Sequence, residues 1–376
     1  MITIFWVSLC VILFSYIGYP LSLKLLSNVF RRQVKQGEIF PSITVIIAAY
    51  NEEKNIKAKL ENTLLLNYPA EKREIIVVSD FSSDTTDEIV AGFASEGVRL
   101  MRTPERRGKT GAQNIAMGEA KGEIIVFSDA TAIYEKESLR KIVRSFDDPS
   151  VGGVEGRLIY ESAETGFIGN KDLQKSYEAY IKKMESQIWT GVGDNGAFYA
   201  IRRELCRPLR EDLTSDFAAP LDVTRQRKRF IFDDQALSFD KVSSNSQDEF
   251  KRKIRTVRAG INVFVNSFDL LNPFRYGWVS YVLVGRKLSR WLSSVMLPLL
   301  LISNLFLLPQ SFYVLFLISQ SLCYVFAIAG IIAGDSFDRI KLISIPKSFF
   351  MVNLAAMRGI ASFVVHRNQE IWTPKR

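Results

Sequence analysis

The residues best placed for chemistry are three polar clusters, each at the end of a short apolar run. SITVIIAA (42–49) runs into Tyr50-Asn51-Glu52, EIIVVSD (74–80) ends on Ser79-Asp80, and EIIVFSDA (123–130) delivers Ser128-Asp129-Ala130-Thr131. A lone aspartate after a strand is commonly a helix cap or a turn residue. Three such ends on neighbouring strands favour a binding site instead, because ligands of open α/β sheets sit beyond the carboxyl ends of the strands. The sequence holds one histidine, His366, and three widely separated cysteines, Cys10, Cys206 and Cys323. His-based hydrolysis, a zinc site and a disulfide framework are therefore not expected, and catalysis must rest on carboxylates, Lys and Arg.

No GxGxxG follows the first strand and GxxxxGK[ST] does not occur, so phosphates are not expected in a glycine turn of the dinucleotide or P-loop type. A divalent metal, Mg or Mn, bound through Asp129 with Lys109 of RRGKTGAQN (106–114) nearby suits a diphosphate, since hard oxygen ligands share such ions with substrate phosphates.

These residues need a scaffold. The three runs and VRLMRT (98–103) are β-branched and almost continuously apolar, as strands covered on both faces are. Helical segments are expected at Asn51–Leu66, Thr85–Ser95 and Thr110–Ala120. The βαβα order predicts an α/β domain over 36–270 with an open, mostly parallel sheet flanked by helices.

Apolar residues make up 47% of the chain but crowd its ends. Met1 to Leu23 carries no charge and is followed by Lys24, Arg31, Arg32 and Lys35, so 1–35 is expected to be a transmembrane anchor with its N-terminus outside. A signal peptide would carry its positive charge before the apolar run. Trp291 to Gly334 is also charge-free and is broken by Pro309-Gln310-Ser311, which predicts a two-span hairpin over 291–334 with both flanks cytoplasmic. Residues 271–290 mix Arg275, Arg286, Lys287 and Arg290 with aromatics and are expected to form an interfacial amphipathic helix. Leu342 to Val365 contains Lys347 and Arg358, each costing about 2.5–3.5 kcal/mol near a bilayer centre, so 335–376 is expected to be a cytoplasmic interfacial segment, with a further span as the alternative. The net charge of +9 lies beside these apolar runs, which favours membrane lipids or phosphorylated substrates over nucleic acid.

The motifs occur in the order found in the family 2 glycosyltransferases, and residues 40–270 resemble that family, whose catalytic domain has the GT-A fold and which includes cellulose and hyaluronan synthases and bacterial exopolysaccharide enzymes. The resemblance implies a hexosyl- or N-acetylhexosaminyltransferase of the cytoplasmic membrane. It would use a nucleotide-sugar donor, with a UDP-sugar as the favoured class, and a glycan or lipid-linked acceptor, alongside other polysaccharide-assembly proteins. VIIAAYNEEKNI implies that Tyr50 and Glu52 contact the nucleoside, VVSDFSSDTT that Asp80 binds the base, and RRGKTGAQN that Gly108 and Lys109 lie near the phosphates. FSDAT stands in place of the DxD metal motif, with Asp129 kept and Thr131 in the second acidic position. LTSDFAAPLDV implies that Asp216 is the catalytic base of an inverting transfer, with Ser215 where an acidic partner often stands and Asp212 and Asp222 as nearby competitors.

GVGDNGAFYAIRRE implies that Asp194, Asn195 and Gly196 contact the donor sugar or acceptor; a surface turn before the strand AFYAI is the competing reading. Arg252, Arg255 and Arg258 fall on one side of a helix, where the family places diphosphate or acceptor contacts; a basic face on anionic headgroups is the competing reading. QxxRW is absent, so processive synthesis is not implied. Two other readings share these features. A nucleotidyltransferase would need a glycine-rich basic loop where the chain reads YNEEKN, and a non-catalytic scaffold would tolerate the altered DAT motif.

Overall fold

The computed structural model describes residues 1–161, 170–241, 246–333 and 340–365; Arg339, His366 and the remainder of 366–376 lie outside the described residues. Eight strands form one sheet: β1 (Ile43–Ala49), β2 (Arg73–Ser79), β3 (Val98–Arg102), β4 (Ile124–Asp129), β5 (Ile133–Tyr134), β6 (Val151–Glu161), β7 (Phe198–Arg202) and β8 (Arg229–Lys241). Their order is β3-β2-β1-β4-β7-β6-β8-β5. The β3-β2-β1-β4 half is parallel throughout, as the βαβα reading requires. β6 and β8 also run parallel, whereas β7 is antiparallel to both its neighbours and β5 to β8.

Both faces of the sheet are covered. Ile43, Val45 and Ile47 of β1 pack with Ile56 and Leu60 on one side, while Ile46 packs with Ala112 and Ala116 on the other. The alternation is the two-residue period of a strand, and it explains why the run is apolar without interruption. Helices Ile56–Leu64 and Gly108–Glu119 are thereby fixed on opposite faces.

The first helix begins five residues later than the sequence pattern suggests. Asn51 has φ 54°, its amide donates to Ser82 Oγ (3.1 Å), and its side chain accepts from the Ser83 amide (2.7 Å). Asparagine tolerates this left-handed backbone. Pinned to the loop after β2, Tyr50 to Asn55 stays open above the strand ends.

Four described helices are long and apolar enough to cross a membrane: Ile2–Val29, Trp278–Leu305, Ser311–Ile332 and Lys341–Val365. The stretch expected to form a two-span hairpin, 291–334, falls within the middle two. The boundary expected at 290/291 does not coincide with a helix end, because one continuous helix runs from Trp278 to Leu305. Arg286 and Arg290, expected to face headgroups, are instead paired with carboxylates of helix Asn170–Ile188: Arg286 with Glu185 at 3.1 Å, and Arg290 with Glu178.

Candidate functional site

The site forms where the sheet changes direction. β4 ends at Asp129, and the antiparallel β7 begins beside it, with Ser128 opposite Phe198. The loop before β7, carrying Asp194 to Gly196, is therefore delivered to the same sheet edge as the ends of β1, β2 and β4.

Its first half is built around Asp80 at the end of β2. The Asp80 carboxylate is 5% exposed and accepts from the backbone amides of Arg107 (2.8 Å) and Gly108 (2.9 Å), with Arg106 Nε at 3.2 Å. A carboxylate there satisfies two of the open N–H groups at the start of helix Gly108–Glu119 and complements its dipole. Arg106 in turn lies 3.0 Å over the ring of Tyr50. Glu52 accepts from Asn55 Nδ2 at 2.8 Å, and its amide donates to Thr86 Oγ1 at 2.8 Å. Tyr50, Asp80 and Gly108 are thus brought together, with Glu52 fixed in the same loop. Arg106 joins them without having been singled out, although it heads the quoted RRGKTGAQN stretch.

The second half centres on Lys109, whose ammonium pairs with Asp129 and donates to the Gly196 carbonyl at 3.1 Å. A methyl group on Gly196 would sit 2.6 Å from Lys109 Nζ and 3.2 Å from Asp216 Oδ2, so only glycine lets these groups approach. Asp216 occupies the first turn of helix Ser215–Arg225 and accepts from the Thr214 hydroxyl. Burial acts to lower the Lys109 pKa, but Asp129 and Asp216 outweigh it and hold the group charged above the ordinary lysine value. Lys109, Asp129, Gly196 and Asp216 therefore share one small volume, and Thr131 lies two residues beyond Asp129 in the turn between β4 and β5.

The other candidate residues are placed differently. Asp194 pairs with Lys182 (2.5 Å), Arg286 (2.8 Å) and Lys287 (3.1 Å). Asn195 is buried, donating to the Gly156 carbonyl (2.9 Å) and accepting from the Ala197 amide (3.1 Å). Arg252 lies on helix Ser246–Val265 and donates to Tyr160 Oη (3.2 Å) at the end of β6. Arg255 and Arg258 share that helix, which packs on Lys341–Val365 through Val257 and Gly359. Of the competing aspartates, Asp212 pairs with Arg210 (2.9 Å), while Asp222 accepts from Gln226 Nε2 (3.4 Å) and has its pKa raised by burial, partly offset by Arg225.

Lys59 was not foreseen either. It is fully buried, donates to the Ala132 carbonyl (2.6 Å), and sits 3.4 Å over the Tyr134 ring, beneath the turn that carries Asp129 and Thr131. Burial pushes its pKa down to about 7 despite Asp129. The signal was present in the helical period, because Ile56, Leu60 and Thr63 share its buried face.

Residues 44–210 match the model of Glycosyl transferase family 2. The chain is 26% identical over 257 residues to beta-monoglucosyldiacylglycerol synthase of Trichormus variabilis, covering 64% of this chain and 53% of that protein. It is 25% identical over 234 residues to poly-beta-1,6-N-acetyl-D-glucosamine synthase of Staphylococcus aureus, covering 60% and 56% respectively. The chain therefore spans about half the length of these relatives. A mannosyltransferase from Pyrobaculum calidifontis, solved with GDP-Man and Mn2+, shares the fold with a TM-score of 0.73 and 19% identity over 97% of this chain and 100% of that one. The architecture is thus a GT-A-like α/β sheet flanked by helices, and residues 44–210 of the chain are similar to Glycosyl transferase family 2.

Proposed function

We propose that the protein is a membrane-anchored inverting glycosyltransferase that moves a sugar from a nucleotide-sugar, a UDP-sugar as first choice, to a glycan or lipid-linked acceptor at the cytoplasmic membrane face. The observation that carries this reading is the convergence of Lys109, Asp129, Gly196 and Asp216 beside the Tyr50–Asp80–Gly108 crevice. The crevice takes the nucleoside, and the second cluster faces the diphosphate and sugar. Asp216 accepts the acceptor hydroxyl proton as that oxygen attacks the anomeric carbon, and Lys109 stabilises the departing nucleoside diphosphate. The product carries the anomeric configuration opposite to the donor. A nucleotidyltransferase would need a glycine-rich basic loop directly after β1, where the chain reads YNEEKN.

The donor set fits Mg or Mn. Asp129 offers a hard carboxylate whose side chain is 35% exposed, with the Thr131 hydroxyl as a weaker second oxygen. Among the described residues, no three His, Cys, Asp or Glu side chains form a ready-made cage. Such a site suits an ion that shares its shell with substrate phosphates, where it would neutralise charge on the diphosphate.

For the membrane arrangement, we infer an outside N-terminus, a hairpin over Trp278–Leu305 and Ser311–Ile332, and Lys341–Val365 lying along the inner surface. Asn353 accepts from Tyr16 Oη (3.1 Å), next to Ser15, which lies 3.3 Å from Ser289; Gly359 packs on Val257, one turn before Gly260, which meets Trp291. The basis for the surface position is Lys347 and Arg358, each costing about 2.5–3.5 kcal/mol near a bilayer centre. A reporter active only outside, fused at residue 376, should be silent; strong activity there would mean a fourth crossing.

Purified protein in lipid nanodiscs, given a panel of nucleotide sugars with Mg2+ or Mn2+, should be stabilised by one donor and release its nucleoside diphosphate. A scaffold would release none from any donor.

A further inference from the structure

The loop that lays Gly196 against Lys109 and Asp216 is tied to the membrane-side helix. Within Trp278–Leu305, the ladder widens to a π turn over Leu283–Leu288. Such turns recur at functional positions, and this one presents consecutive cations to one acid. Arg286 Nη2 and Lys287 Nζ both reach Asp194 Oδ2, at 2.8 and 3.1 Å. The other nitrogen of the Arg286 fork bonds Glu185 at 3.1 Å, and Glu185 accepts from Tyr19 of the N-terminal helix at 2.7 Å. Arg286 is 1% exposed and Glu185 fully buried. Tyr19 lies against Gly285, where a methyl group would come within 2.2 Å of its ring.

On its other side, the same loop touches the proposed base twice. Gly193 has φ +60°, and a methyl there would meet Pro220 at 2.5 Å and the Asp216 carbonyl at 3.0 Å; Gly196 meets the Asp216 carboxylate. Lys287 also sits 4.7 Å over the ring of Phe217, the neighbour of Asp216. Asp194 is thus the charged anchor between two glycine contacts with the transfer site.

We propose that Arg286 and Asp194 are positioning residues for sugar transfer: the fork of Arg286, braced by Glu185, holds Asp194 so that the loop sets Gly196, Lys109 and Asp216 in register, making the membrane-side helix part of the transfer site. Burial acts to raise the Asp194 pKa, but Arg286, Lys182 and Lys287 outweigh it and keep the carboxyl well below its usual range, so the anchor stays charged at any physiological pH. Lysine at 286 could not replace the fork, because a point charge cannot bond two carboxylates in fixed directions.

The proposal rests on the glycosyltransferase reading, and its test separates the two. Asp194→Asn and Arg286→Lys are compared with Lys183→Met, an exposed control, in nanodiscs. Both variants should lose roughly 10–100-fold in kcat, the scale of about 1 Å of misplacement, with affinity for the free nucleoside within about threefold of wild type because the Asp80 half is untouched. Backbone hydrogen exchange over 190–197 should accelerate in both and not in Lys183→Met. Should Arg286→Lys fail to fold, Asp194→Asn alone decides, since it keeps the shape of the side chain. Wild-type kcat and exchange in Asp194→Asn overturn the proposal, as does a loss of kcat that only tracks a fall in thermal midpoint and nucleoside affinity. Accelerated exchange in a protein whose wild type transfers no sugar leaves the positioning intact and sinks the glycosyltransferase reading instead.

Discussion

The β1–β4 half of the sheet and the membrane-side cluster around Arg286 are both rich in charge, yet they use it in opposite ways. At the strand ends, Asp129 and Asp216 face one lysine, with the Asp129 side chain 35% exposed, and the charges remain open to a ligand. Around Arg286, three cations meet Asp194, while Glu178 and Glu185 take up the remaining arginine contacts, and the Arg286–Glu185 pair at its centre is out of water. A buried ion group adds little net stability but is costly to break, because removal of one partner strands the other charge. The proposed function puts the first cluster to work on a substrate, and the proposed positioning role has the second hold geometry.

The contrast can be broken most severely at Asp129. Asp129→Ala should remove at least about 10²–10³-fold in turnover, the scale for losing one electrostatic stabiliser, and weaken donor binding in Mg2+ or Mn2+. Thr131→Ala should cost less, since a hydroxyl is the weaker ligand. Steady-state kinetics with and without chelator decide this. Full activity in chelator contradicts the metal role, and equal losses would give Thr131 a larger part.

A smaller effect sharpens the comparison from beneath the Asp129 turn. Lys59 has its pKa lowered to about 7 by burial, against an ordinary value of 10.5. Between those values the unfolded chain binds the extra proton, so the contribution of Lys59 to stability should rise with pH across about 7 to 10.5, by at most about 1.4 kcal/mol per pH unit, and level off outside that window. The difference in unfolding free energy between wild type and Lys59→Met should follow this slope. A flat difference would mean that Lys59 titrates normally.

Much of the first cluster was readable because its residues follow contiguous strands. The apolar runs placed β1, β2 and β4 to within a residue, and parallel order then forces Tyr50, Asp80 and Asp129 to one edge. Arg106 and Lys59 were hidden for a different reason. Their roles depend on what crosses over them, Tyr50 in one case and the Ala132 carbonyl in the other, and neither contact has a sequence spacing. The membrane-side cluster was misread at 290/291 because a count of Lys and Arg beside an apolar run cannot distinguish headgroup contact from pairing with Glu178, Glu185 and Asp194, which lie about a hundred residues away in the chain. Charge placement indicates which end of a helix is polar, and only the fold reveals whether a partner is already there.

The central claim is that Asp216 is the base of a nucleotide-sugar transfer, and it is tested most directly by following nucleoside diphosphate release from Asp216→Asn, Asp212→Asn and Asp222→Asn on the donor that stabilises the wild type. The amide at 216 keeps the shape and cannot accept the proton, so donor binding should be nearly unchanged while turnover falls roughly 10²–10⁴-fold. Asp222→Asn and Asp212→Asn should lose far less, since both side chains have partners away from Lys109. Wild-type turnover in Asp216→Asn together with a dead Asp222→Asn or Asp212→Asn would contradict the account.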